Sequence, residues 1–288
     1  MVQGKKVAIV LPAYNAERTL ERTWEEVPKN DLDVAILVDD ASADATVEIA
    51  RRLGMRIVTH EQNRGYGANQ KTCYREALAE GADVVVMLHP DYQYDPRLLP
   101  YLVGLIADGV CDVVLGNRIR TRQEALAGGM PRYKYVANRF LTLVENLVTG
   151  QNLGEWHSGL RAYSARSLRQ LRWAENSDDF IFDQQFLLQA SAARLRIADV
   201  PCPARYLDEA SSISFRRSTR YGLLTLWCCL RYALHRTGAV RCALLEPLEL
   251  EPEPAETPSP AGAATDAPQE RISIDLDAAT EPEEAPFR

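Results

Sequence analysis

Short apolar runs rich in β-branched residues recur along the first 115 positions: 6–11 (KVAIVL), 34–38 (VAILV), 56–58 (RIV), 83–88 (DVVVML) and 112–115 (DVVL). Runs of this length without polar alternation are what strands buried on both faces require. Between them, 16–27, 45–53 and 67–80 space their apolar residues at helical intervals and start close to polar or glycine-containing turns. Strand and helix in alternation predict right-handed βαβ crossovers, hence an α/β fold with a mostly parallel, Rossmann-like sheet flanked by helices. No period of solenoid length interrupts this order.

The pattern changes towards the end of the chain. Residues 221–234 are the most apolar late segment, but Arg231 interrupts them and they fall well short of the roughly 20 residues that span a bilayer. Arg216, Arg217 and Arg220 precede the segment, and His235 and Arg236 follow it. Residues 215–236 therefore read either as a basic amphipathic helix at a membrane surface or as a terminal helix packed on the core. From about Pro247 the sequence is dominated by Pro, Ala and Glu, with too little apolar surface to offset the entropy of ordering. We expect a folded domain over 1–240 and an acidic, disordered tail over 241–288.

That tail changes the meaning of the formal charge of -7: residues 245–288 hold twelve acidic residues against two arginines, so the rest of the chain is mildly basic. The six cysteines form no C-x-x-C pair and no metal-finger spacing, as expected of reduced thiols in a cytoplasmic protein. The first apolar stretch is too short for a signal-peptide core. The expected location is cytoplasmic, with peripheral contact on the inner face of the membrane, and no nucleic-acid partner is expected.

In an open parallel sheet the ligand crevice lies beyond the carboxyl ends of the strands. PAYNAE (Pro12 to Glu17) follows the first strand, VDDASADAT (Val38 to Thr46) the second and LHPDYQYDP (Leu88 to Pro96) the fourth. Asp39 and Asp40 directly follow apolar residues, where paired charges are costly without partners; a strand-end ligand site accounts for them. Tyr14 offers a flat face to a base, while Ser42 and Asp44 suit caps of the following helix. His89, Asp91 and Gln93 alternate at spacing two, so an extended segment points all three to one side, towards a divalent ion carried by a diphosphate. The competing reading of that segment is a polar turn ending in the helix-start pair Asp95-Pro96.

PAYNAE, VDDASADAT, NRGYGAN (Asn63 to Asn69), HPDYQYDP and EWHSGLRAYS (Glu155 to Ser164), in this order, resemble family 2 glycosyltransferases of the GT-A fold. The branch they resemble most is that of dolichyl-phosphate mannose synthase and related polyprenyl-phosphate sugar transferases, over residues 5–220. The resemblance implies that Pro12, Tyr14 and Asp40 hold the nucleoside, with Glu17 a candidate for the ribose. His89-Pro90-Asp91-Tyr92-Gln93 stands where the family commonly has D-x-D-x-Q, so Asp91, Gln93 and His89 are the candidate ligands of Mg2+ or Mn2+. Imidazole suits manganese better; alternatively His89 hydrogen-bonds a phosphate. Arg118, Arg132, Lys134, Arg139 and Arg205, with Ser211 and Ser212, are candidates for the acceptor phosphate or the leaving diphosphate.

The commonest mechanism in this fold is an inverting displacement at the anomeric carbon, with the metal neutralising the departing nucleoside diphosphate. A hydroxyl acceptor needs a general base, for which Glu155 and Asp183 are the candidates; they could instead hold sugar hydroxyls. A polyprenyl phosphate needs little such help. The segment LDEASSISF replaces the family's basic R-x-G-x-S-K run, which keeps a hydroxyl acceptor (saccharide, lipid or small metabolite) open as an alternative. An inactive nucleotide-binding protein is a further alternative, suggested by His89.

Overall fold

The computed structural model describes residues 1–202, 205 and 215–250, apart from the side chains of Phe215 and Arg216. Every residue of β1 (Val7–Ala13) and of β4 (Val84–Met87) is buried, as their unbroken apolar runs require. With β2 (Val34–Asp39), β3 (Arg56–Thr59), β5 (Val113–Asn117), β6 (Arg161–Ser164) and β7 (Ile197–Pro201) they form one sheet in the order β3-β2-β1-β4-β6-β5-β7. β6 runs antiparallel to both β4 and β5; the other pairings are parallel. The start of β6 therefore lies at the same sheet edge as the ends of β1, β2, β4 and β5. That reversal brings the segment 155–160 to the crevice.

One face of the sheet is covered by α3 (Tyr66–Ala79), α8 (Phe182–Ala192) and α9 (Phe215–Arg236), with Tyr74, Tyr163, Phe182, Phe186 and Tyr232 in its core. The other is covered by α1 (Leu20–Glu25), α2 (Thr46–Arg52) and α4 (Leu99–Ala107), packed through Leu20, Trp24, Ala50 and Leu102. Short helices α5 (Arg122–Ala127) and α7 (Ala165–Gln170) and the long α6 (Arg132–Thr149) complete the described helices. All five strands expected from the apolar runs are present, and 215–236 is one helix. The expected helix over 16–27 is only Leu20–Glu25, because Asn15 takes φ 51° and the chain bends before turning helical. β6 was hidden from the pattern by its length and by the arginine at its start.

The six cysteines are unpaired thiols, and among the described residues no helix is long and apolar enough to cross a membrane. Residues 241–250, assigned by composition to the tail, run along the domain: Cys242 and Leu245 are buried, and the Leu248 amide donates to the Gln170 carbonyl at 2.8 Å. Residues 251–288 lie outside the described residues.

Helix α6 is built inside out. Its buried positions are Asn138, Leu141, Thr142, Glu145 and Thr149, whereas Val136, Phe140, Leu143 and Leu147 are more than half exposed. A helix of a soluble domain normally does the reverse. Alongside it, α9 exposes Leu223, Trp227 and Leu230 at intervals of four and three, so the two helices present a joint apolar face.

Candidate functional site

The two aspartates closing β2 are used differently. Asp40 is spent on structure: Oδ1 accepts from the Arg64 amide at 2.9 Å and lies 2.7 Å from His60 Nδ1, and Oδ2 accepts from the Gly65 amide at 2.9 Å. It ties β2 to the glycine-containing segment before α3. Asp39 Oδ2 accepts from the Ser42 amide, but its Oδ1 is buried without a hydrogen bond. An orphaned acceptor of this kind is costly unless a ligand donor meets it, as a base N–H would. Nearby, Tyr14 is 55% exposed and Pro12 is buried near the end of β1. The Glu17 carboxylate accepts from the Ala45 amide at 3.1 Å, ahead of α2. Asp44 and Thr46 complete that junction.

His60 was missed, although it stands immediately after β3, where the strand-end rule looks. Its ring bridges Asp40 to Thr72 on α3, at 3.0 Å to Oγ1.

The segment after β4 is a turn, not an extended strand, which overturns the spacing argument that aimed His89, Asp91 and Gln93 at one ion. Tyr92 takes φ 59°, a left-handed conformation that a bulky residue holds only when its surroundings enforce it. Those surroundings are the guanidinium groups of Arg22 and Arg205, 4.0 and 4.8 Å from the Tyr92 ring centroid, and Glu26, which accepts from the Tyr92 hydroxyl. Arg205 is thus a clamp on this turn, paired with Glu26 at 3.2 Å. Ser211 and Ser212 lie outside the described residues.

His89 is wedged between Tyr66 and Gly159. Its ring lies parallel to that of Tyr66, with Nε2 3.3 Å from the tyrosine hydroxyl, and a Cβ on Gly159 would come within 2.7 Å of His89 Cδ2. Burial pushes its pKa down, which keeps the imidazole neutral at neutral pH. Asp91 Oδ1 accepts from the Gln93 amide at 3.0 Å, and burial raises its carboxyl above the usual range. The Gln93 carbonyl accepts from the Arg205 amide.

Glu155 and Asp183, expected as candidate bases, are both held by hydrogen bonds. Glu155 is fully buried and accepts from the Arg118 amide at 2.7 Å, from Arg118 Nε at 2.8 Å and from Asn138 Nδ2 at 2.9 Å. Burial alone would raise its pKa, but the Arg118 charge and hydrogen bonds outweigh that and hold it below the ordinary value. Asp183 accepts from Tyr66 at 2.7 Å and Gln70 at 3.0 Å and pairs with buried Arg161 at 3.1 Å.

The cations are the other half of the site. The charge of Arg118 acts on Asp91 and on Lys134, whose pKa burial and then Arg118 push down. No carboxylate pairs with Lys134 among the described residues, which leaves its ammonium open to an anion. Arg139 is exposed and donates to the Gly154 carbonyl at 2.6 Å.

Among the described residues no three His, Cys, Asp or Glu side chains converge on a metal position. The donor set still fits a divalent ion that arrives on a diphosphate, because such an ion needs only one or two protein oxygens. Asp91 supplies a carboxylate with one oxygen engaged and a pKa that a cation would lower.

The sequence model of Glycosyl transferase family 2 matches residues 8–172, more than half of the chain. The chain belongs to that family. Within it, the chain is 30% identical over 200 residues to dolichyl-phosphate hexose transferase from Haloferax volcanii, covering 69% of this chain and 82% of that one. It is 27% identical over 221 residues to UDP-N-acetylglucosamine–dolichyl-phosphate N-acetylglucosaminyltransferase from Methanococcus voltae, covering 71% and 87%. Glucosyl-3-phosphoglycerate synthase from Mycobacterium tuberculosis, solved with Mn2+, UDP-glucose and phosphoglyceric acid, superposes with a TM-score of 0.59 over 80% of each chain at 22% identity. That likeness establishes the GT-A fold. The family 2 glycosyltransferase described here is a nucleotide-sugar-dependent enzyme of the branch that includes the dolichyl-phosphate transferases.

Proposed function

We propose that this glycosyltransferase moves a hexose from a nucleoside-diphosphate sugar to a polyprenyl phosphate, with inversion, at the cytoplasmic face of a membrane. The observation that carries the reading is the state of the site's charges: Glu155 is engaged by Arg118, Asp183 by Tyr66, Gln70 and the charge of Arg161, while Lys134 has no carboxylate partner among the described residues. A hydroxyl nucleophile needs a positioned base, whereas a phosphate monoester already carries its charge at neutral pH and needs cations to hold it. The polyprenyl-phosphate transferases among the relatives support the same acceptor class.

In this reading Asp39 Oδ1 accepts a hydrogen bond from the base, and Tyr14 covers the base face. Asp91 would hold the Mg2+ or Mn2+ that accompanies the diphosphate, and the ion would supply charge neutralisation to the leaving group. Arg118, oriented by Glu155, binds phosphate together with Lys134. Tyr66, oriented by Asp183, and the Gly159 backbone hold His89 as a neutral wall beside the sugar. The inside-out face of α6 and α9 rests on lipid. Its apolar residues are flanked by exposed Arg132, Arg139, Arg217, Arg220, Arg231 and Arg236, and the one acidic residue of the two helices, Glu145, is buried.

The test offers the purified chain a panel of labelled nucleotide sugars with undecaprenyl phosphate, undecaprenol or soluble saccharides. Label transferred to the phosphate alone supports the reading. Label on the alcohol or a saccharide overturns it.

A further inference from the structure

The segment 153–159 has neither helix nor strand to hold it, yet it carries Glu155 and abuts His89. Asp199 accepts from the segment's Gly154 amide at 2.9 Å and the Tyr94 hydroxyl from its Gly159 amide at 2.6 Å, and side chains of α6 hold the rest. Asn146 accepts from the Leu153 amide and from Trp156 Nε1 at 2.8 Å and donates to the Leu153 carbonyl, and Asn138 reaches Glu155. The inner face of the inside-out helix is therefore polar because it grips this segment.

One contact in the grip is unusual. Glu145 is completely buried and neither of its carboxylate oxygens has a hydrogen bond; its nearest cation-forming group is His157 Nε2, 3.3 Å away and also without a hydrogen bond. The other ring nitrogen of His157 lies 3.0 Å from the hydroxyl of Tyr221 on α9. Burial, and then the charge of Glu145, push the Tyr221 hydroxyl well above its ordinary range, so it stays a donor. The His157 carbonyl in turn accepts from Arg118 at 2.8 Å. A buried carboxylate without hydrogen bonds is costly, and a small displacement of α6 towards His157 would bring the pair into line. The contact lies between the exposed helices and the segment whose carbonyl holds Arg118.

We propose that Glu145, His157 and Tyr221 are positioning residues that couple the lipid-facing helices α6 and α9 to the register of Arg118. Seating of the helices on a bilayer engages the Glu145 and His157 contact and fixes the 155–159 segment. The inference rests on the polyprenyl-phosphate reading above, and its test is separable from that reading.

The experiment measures transfer to a short-chain, water-soluble prenyl phosphate with and without acceptor-free vesicles of anionic lipid. In the wild-type enzyme the vesicles raise kcat about fivefold, within the range that coupling residues command. Tyr221→Phe and Glu145→Gln abolish the stimulation, yet keep the rate without vesicles, the nucleoside diphosphate affinity and the vesicle binding. Stimulation that persists in both variants, or its absence in an active, vesicle-bound wild-type enzyme, overturns the proposal. If Glu145→Gln fails to fold, Tyr221→Phe decides alone, since it removes one oxygen atom. No transfer to any prenyl phosphate would instead remove the acceptor reading, and the coupling with it.

Discussion

Single residues at this site are defined by what already holds them. Asp91 keeps a carboxylate oxygen for a ligand, so Asp91→Ala should lower turnover by about a hundredfold or more with little change in melting temperature, and EDTA should do the same to the wild-type enzyme. Wild-type turnover in the variant would remove Asp91 from the site. Glu155 behaves oppositely, because its work is to hold Arg118. Glu155→Gln leaves a part-buried guanidinium without its counter-charge and should cost about 3 kcal/mol of stability at neutral pH. Its folded-state pKa is depressed, so the ionic part of its contribution is fully present above the ordinary glutamate value. It is lost as pH falls below that value and through the depressed one. Denaturation of both forms across that range should therefore show the gap narrowing only in acid; a gap that narrows above about pH 5 would contradict the assignment. The types of these residues were legible in the sequence. Their partners were not: nothing in EWHSG announces that its glutamate faces an arginine 37 positions earlier, and Glu145 and His157 are 12 apart on different elements.

At the scale of elements, the expected strands formed because they are buried on both faces, which an uninterrupted apolar run records directly. The turn at 88–95 was misread because alternation at spacing two describes only an extended chain, and Tyr92 breaks that geometry through contacts from α1 and Arg205 that are distant in sequence. Two glycines report close approaches. Gly67 lets the start of α3 lie against the backbone before α8, with its amide donating to the Asp178 carbonyl at 2.8 Å; a Cβ there would sit 2.3 Å from the Ser177 carbonyl oxygen. Gly67→Ala should destabilise the fold by about 1–3 kcal/mol, measured by urea denaturation. Gly159→Ala instead displaces His89, a side chain that can move, so it should reduce turnover more than stability. Equal turnover in Gly159→Ala and wild type would show that the wedge has no part in the reaction.

At the scale of the molecule, the amphipathic helix over 215–236 was legible from its arginines and apolar residues, while its companion α6 was not. An apolar stripe at helical spacing ordinarily means core, and only the structure shows that the stripe of α6 faces outward. Anionic vesicles should therefore bind the protein, and Phe140→Ser with Trp227→Ser should weaken that binding markedly more than either change alone, as sedimentation of the vesicles would show. The central claim is that this site holds a phosphate acceptor and does not deprotonate a hydroxyl. It is tested most directly by single-turnover transfer from the preferred labelled nucleotide sugar to undecaprenyl phosphate and to undecaprenol, side by side in the same vesicles. The account predicts a glycosylated polyprenyl phosphate and no product from the alcohol; comparable transfer to undecaprenol would contradict it.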